Sequence, residues 1–307
     1  MADSINGDAA DITAALLQVV DGQKVGMIRS VRAGITAIRK SIPDEDIEAA
    51  IGSGSIPDSW GELLEEGYAG LIEKRFRPRW KKAADASAGL VQDGAEELDY
   101  EHDWDGLEER LEADKDARAD ELLEGFVSRQ LEASRLVLRG LGDETPVGTE
   151  LLSEALRYSI GLTVQQARAL VGYVRALTED EGDEEKGAPM SRRRMLAFRR
   201  KSVMSMLRRR AGMMVGQRSR LMAVTELVAS FALGAVSAVK DLVAGVGMDT
   251  APTRVWVASG GGKTGPCPVC VELDGAEAPL GGRYPSGRKG PPAHGNCYCT
   301  ERFVVKD

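Results

Sequence analysis

Apolar residues recur three and four positions apart through most of the first 250 residues, the spacing that puts them on one face of a helix. Ile12, Leu16, Val19, Val20, Val25 and Ile28 predict a helix over Asp8 to Ser41. Pro43-Asp44 restarts a helix with acids in its first turn, and residues 52–57, rich in Gly, Ser and Pro, form a loop. Asp58 or Ser59 can cap the next helix, with Glu62 at capping-box spacing from Ser59. That helix carries Leu63, Leu64, Leu71 and Ile72 and meets Pro78. Gln92 to Asp105 is acidic and reads as a solvated linker; a long helix follows from about Trp104 to Arg139, ended by Gly140 and Gly142.

Two shorter helices are predicted between Thr149 and Leu177, joined at residues 159–163, with Thr163 capping the second. Thr178 to Pro189 is an acidic linker. A long helical stretch runs from Ser191 to about Val246, with an interruption near Gly212 and Gly216. Leu196, Val203, Leu207, Met214 and Leu221 set out one stripe along it. The character changes at Gly247. Arg254 to Ala258 and Arg302 to Val305 are β-like and bracket a Gly- and Pro-rich stretch holding every cysteine of the chain. The pattern predicts a mainly α protein. It has a helical N-terminal region (1–141), a long-helix core (142–250) and a small zinc-stabilised β knuckle at the C-terminus (251–307).

Composition sharpens this. Hydrophobic residues are 43% of the 307, enough for a core, and aromatics are 5% against 29% charged, which favours long helices over a β-sandwich. The longest apolar region, Leu221 to Val246, is broken by Thr225, Glu226, Ser230, Ser237, Lys240 and Asp241, so no membrane span is expected. The N-terminus lacks a basic, apolar leader, and a soluble, non-exported chain is expected.

The net charge of −8 argues against a general nucleic-acid coat, yet the charge is polarised along the chain. Met190 to Arg220 holds 11 Arg or Lys and no acid; Gln92 to Gly125 holds 15 Asp or Glu. The basic segment carries three triplets: Arg192, Arg193 and Arg194; Arg199, Arg200 and Lys201; Arg208, Arg209 and Arg210. They can neutralise phosphates without regard to sequence. Docking on an acidic partner, or on Gln92 to Gly125 itself, and a solvated face stand beside that reading.

The sharpest chemistry lies in Cys267-Pro-Val-Cys270, 23 residues, then His294-Gly-Asn-Cys297-Tyr-Cys299. Two cysteines separated by two residues can grip one ion from a tight turn, and a second pair from His294, Cys297 and Cys299 completes a set that suits zinc. Five donors compete for four positions. Free thiols and disulfides are the competing readings. A region this short buries little apolar surface, so a bound ion would supply folding energy. A structural rather than catalytic metal is expected. Half of a zinc-deaminase signature is present, but its His-x-Glu is not: His102 is followed by Asp103 and Trp104.

Thr225 and Glu226 are polar residues in an apolar helix just after Arg218, and they call for a polar partner: an Arg, or an element to cap. Other features are weaker. The pairs Glu65-Glu66, Glu96-Glu97 and Glu108-Glu109 read as solvated faces. Residues 260–264 (Gly-Gly-Gly-Lys-Thr) lack the spacing and the following helix of a phosphate loop. No credible nucleophile–base pair is present.

Taken together the motifs resemble the phage Mu F-like head-morphogenesis family of minor head proteins. The residues that carry the likeness are Arg218 with Ala223-Val224-Thr225-Glu226, Trp256, Cys267 and Cys270, Leu273-Asp274-Gly275, Pro291-Pro292-Ala293-His294, and Cys297-Tyr298-Cys299. The helix from Leu162 to Ala167 looks like the family's opening element. The chain differs at Gly295, where the family has Pro, and at Tyr298, where it has Arg. The likeness spans about Leu151 to Phe303. It implies a non-enzymatic virion protein of the head, near the portal vertex, present in the host cytoplasm during assembly. Portal protein and major capsid or scaffold proteins are the implied partners, with packaged DNA bound non-specifically and no membrane or small-molecule substrate. Arg218, Thr225 and Glu226 are expected to form an internal polar anchor. The alternative is a DNA-binding packaging or regulatory factor that uses the arginine-rich helix 192–220.

Overall fold

The computed structural model describes residues 4–142, 148–178, 190–248, 251–259 and 265–305, without the side chains of 190–200. The protein is mainly helical, with one small antiparallel sheet near the C-terminus. The helices are α1 (Ala9–Ser41), α2 (Asp44–Ser53), α3 (Ser59–Leu71), α4 (Arg77–Glu97), α5 (Leu107–Gly142), α6 (Thr149–Ser159), α7 (Val164–Thr178), α8 (Met190–Val246) and the short α9 (Pro268–Leu273). The strands are β1 (Thr253–Val257), β2 (Glu277–Pro279) and β3 (Thr300–Val304).

Several boundaries differ from the sequence reading for identifiable reasons. Pro78 does not stop a helix: α3 passes into α4 through a π-helical turn, Ile72–Phe76, and Pro78 sits in the first turn of α4. Proline lacks only a donor that a first turn leaves unused, and the wider turn absorbs the mismatch. Residues 92–97 are helix, not linker. Their acids face water, while Val91, Gly94 and Ala95 are buried. Gly212 and Gly216 do not interrupt α8, which runs unbroken for 57 residues. Helical glycine costs only about 1 kcal/mol, less than the packing of an apolar face returns. Val25 and Leu221, read as apolar-stripe positions, are 51% and 45% exposed. The hydroxyl of Ser59 donates to Asp46 at 2.8 Å, so it is engaged with α2. Thr163 does cap α7: its Oγ1 accepts from the Gln166 N–H, and Gln166 Oε1 accepts from the Thr163 N–H, both at 3.1 Å.

The chain divides into two compact units, each drawn from separate stretches of sequence. The first comprises Met1–Ser30, Ile72–Asp120 and Arg220–Asp307; the second comprises Val31–Leu71 and Glu121–Ser219. In the first, α4, α5 and α8 share a core of Ala84, Ala88, Val91, Leu107, Leu111, Ala238, Val239 and Leu242, closed by Ile5 and Phe303. Helices α4 and α8 approach closely: a Cβ on Gly234 would run into the Ala84 carbonyl oxygen. The apolar window of α8 is long and apolar enough to cross a membrane by composition, unlike the sequence reading, yet 72% of it is buried inside the protein, as in a core helix.

In the second unit the α6–α7 turn is held by side chains reaching its carbonyls. Arg39 Nε donates to Ile160 O at 2.8 Å, Gln130 Nε2 to Ser159 O at 2.9 Å, and Arg218 Nη1 to Leu162 O at 2.8 Å. Gly161 sits at φ +86° with Ile35 where a Cβ would fall, so the turn requires glycine.

Candidate metal centre

The centre is built on the sheet, order β2-β1-β3, with both neighbours antiparallel to β1. β1 pairs Val255 with Glu277 on one side and Val257 with Thr300 on the other. Trp256 on β1 is 1% exposed and meets Tyr284 edge-on at 5.1 Å. Cys267 is the N-cap of α9 and Pro268 its first residue, so one helical turn carries the chain from Cys267 to Cys270. After α9, Gly275 at φ +73° turns the chain, and Asp274 Oδ1 accepts from the Ala258 N–H at 2.8 Å. That contact ties the Leu-Asp-Gly turn to the end of β1. A tight turn then brings His294 to Cys297, closed by the Cys297 N–H on His294 O at 3.2 Å, with Asn296 left-handed at φ +63°.

All five sequence-singled donors converge here. His294 Nε2 lies 3.0 Å from Cys267 Sγ and 3.3 Å from Cys270 Sγ; Cys270 Sγ lies 3.7 Å from Cys297 Sγ. The donors form two triads that share Cys270: Cys267, Cys270 and His294, and Cys270, Cys297 and Cys299. Within each triad the ligand atoms lie within 4.8 Å of one another, so the cluster can hold a metal ion. Cys270, Cys297 and Cys299 are buried, at 2%, 2% and 0% exposure, while His294 is exposed. His294 Nδ1 is 2.9 Å from Gly295 O. As a donor to that carbonyl it leaves Nε2 as the lone-pair nitrogen facing the thiols.

The thiols are unequal. A hydrogen bond from the Cys299 thiol lowers Cys297 to about 5, and backbone hydrogen bonding at Cys270 lowers Cys267. Burial pushes Cys270 up to about 12, and proton sharing with Cys297 raises Cys299. The carbonyl of Gly295 raises His294.

Behind the cluster lies a buried polar pair that the sequence reading missed. Arg254 Nη2 and Glu301 Oε1 are 2.5 Å apart, at 4% and 2% exposure, and the Tyr284 hydroxyl donates to the same oxygen at 2.9 Å. Arg254 also donates to Gly282 O at 3.1 Å and to Lys289 O. The pair fastens β1 and β3 to the loop that leads into the cluster. Burial raises Glu301 against the opposing pull of Arg254. Arg254 opened a stretch read only as β-like, and Glu301 fell just outside the other.

The remaining sequence-singled residues fall in different places. Thr225 Oγ1 accepts the Asn296 N–H at 3.2 Å, so it reaches the metal turn. Glu226 is 4% exposed and takes a two-pronged ion pair from Arg118. Arg218 belongs to the second unit, is 6% exposed, and caps the α6–α7 turn; burial lowers its pKa. Of the third basic triplet, Arg208 pairs with Glu154 and Arg210 lies over the Tyr173 ring at 5.7 Å. These are contacts to α6 and α7, not to the acidic segment. That segment pairs elsewhere: Arg77 with Asp116, and Lys81 with Glu108 at 3.1 Å. Arg209 and Lys201 are exposed; the side chains of Arg192, Arg193, Arg194, Arg199 and Arg200 lie outside the described residues, as do residues 260–264. His102, the other histidine, is engaged with Asp241 at 3.0 Å.

Comparison with protein-family models, curated proteins and solved structures finds no match to this chain.

Proposed function

We propose that the chain is a non-enzymatic minor head protein of a phage particle that acts at or near the portal vertex during head assembly. The observation that carries the reading is the convergence of its motif residues. Thr225, Trp256, the Leu-Asp-Gly turn, His294 and the four cysteines are spread over some 75 residues, yet they meet in one small metal-binding knuckle seated on α8. Zinc is the resident ion in this reading. A tetrahedral zinc 2.3 Å from two thiolates spaces them roughly 3.8 Å apart, and Cys270 and Cys297 stand 3.7 Å apart. Four or five protein donors leave no open position for a substrate water, which favours a structural role. The ion would fix the knuckle that ends the long helix, and with it a surface for the portal, capsid or scaffold proteins. Counting this chain against the portal protein by quantitative mass spectrometry of purified, DNA-filled particles tests the proposal. A low, reproducible copy number at portal scale supports it; absence from the particles refutes it.

A second reading, a DNA-binding packaging factor, draws on the exposed charge of Lys201 and Arg209 on α8. It predicts DNA binding by the isolated protein that weakens steeply with salt. Arg208 and Arg210 are exposed too, but the ion pair of Arg208 with Glu154 offsets one of these charges.

A further inference from the structure

We infer that Thr225 is a positioning residue for the metal centre: through the Asn296 backbone it sets the turn that presents His294 and Cys297. The inference rests on the metal reading above. The turn joins an exposed ligand to a buried one, with Asn296 between them at φ +63°. The Asn296 N–H leaves the turn and meets α8. A buried or half-buried N–H without a partner is costly, and here the acceptor is the Thr225 hydroxyl at 3.2 Å. The seat is shaped as well as polar. A Cβ on Gly295 would lie 3.7 Å from Leu221 and 3.9 Å from Thr225, so the turn rests on two residues one helical turn apart on α8. Thr225 is itself fixed by its neighbour in sequence, because Glu226 is gripped by Arg118 of α5. The contact thus links the register of a rigid helix to the separation between His294 and Cys270. Groups that orient metal ligands from behind typically change affinity ten- to a hundred-fold when removed.

The test is the zinc dissociation constant, measured by chelator competition on the full chain, together with the absorption spectrum of the cobalt(II)-loaded protein. Thr225→Val and Thr225→Ala should weaken zinc by about ten-fold or more and alter the thiolate-to-cobalt band. Thr225→Ser, which keeps the acceptor, should restore both, and far-UV circular dichroism should show the helices intact in all three. Wild-type binding matched by the Val and Ala variants overturns the inference alone. A wild-type chain that binds no zinc overturns the metal reading and the inference with it. Equal weakening by Ser, Val and Ala also overturns it, since the hydroxyl would then not be the operative group.

Discussion

Arg118 of α5 forks onto Glu226 of α8, its Nε and Nη2 donating to the two carboxylate oxygens at 3.2 and 2.9 Å. The carboxylate side chain is 6% exposed and the guanidinium 29%. Removing Arg118 takes its two-pronged donor from a buried carboxylate, whereas removing both charges removes the need for either. Arg118→Ala should cost about 2 kcal/mol, allowing for the exposed flank of the arginine. The double variant Arg118→Met, Glu226→Leu should recover most of that. Denaturant unfolding of Arg118→Met, Glu226→Leu and the double gives the coupling, and additive losses would contradict the assignment.

Chelation should melt the knuckle before the helices. The cluster Trp256, Cys270, Leu273, Tyr284, Ala293, Cys297 and Cys299 is small and includes three metal donors. Hydrogen exchange after treatment with a strong zinc chelator should show protection lost across β1, α9 and β3, with α4 and α8 still protected. Unchanged protection in the strands would mean that the fold needs no ion.

Metal binding near neutrality should release protons. Cys297 is already ionised above about 5, while Cys270 holds its proton to about 12. Between those values an ion must displace at least the Cys270 proton, so affinity rises with pH and falls as acid restores the thiols. Titration calorimetry in two buffers of different ionisation enthalpy checks this. Heats that do not depend on the buffer would show that the thiols ionise before binding.

Asn6 should matter more than its place near the N-terminus suggests. Its Nδ2 donates to Glu301 O at 3.0 Å and its Oδ1 accepts the Phe303 N–H at 3.1 Å, both buried. Asn6→Ala leaves two buried backbone groups unpaired and should cost about 2–4 kcal/mol. Asn6→Asp keeps the acceptor but sets a buried carboxylate against the Glu301 carbonyl, so it should cost at least as much. Thermal unfolding, with exchange at the Phe303 amide, measures both; a neutral Asn6→Ala would remove residues 4–6 from the account of the sheet.

The helices were legible because each presents an apolar face at 3.6-residue spacing, as in Ile12, Leu16 and Val20 of α1 or Leu170, Val171 and Val174 of α7. The metal donors were legible because Cys-x-x-Cys confines its own geometry. What the one-dimensional pattern lacked was partnership. Glu226 announced a need for a partner, but nothing in sequence singled out Arg118, 108 positions earlier. The pairing of Arg208 with Glu154 depends on where α8 runs past α6. Strand β2 is three residues long and ends in proline, too short to leave a periodic trace. Asn6 carries no signal at all, because its role is set by a strand nearly three hundred residues away.

Ile5 donates to Phe303 O at 2.8 Å, Ser4 pairs with Val304, and Asn6 lies 297 positions from Phe303. Residues 4–6 are made before β3, and nearly three hundred residues of synthesis lie between them. During synthesis the early segment must therefore wait, while α1, α4 and α5 can already begin to pack. Closure over so long a separation is slow compared with helix formation. The pairing of β3 with residues 4–6 should therefore form after the helices that lie between them in sequence.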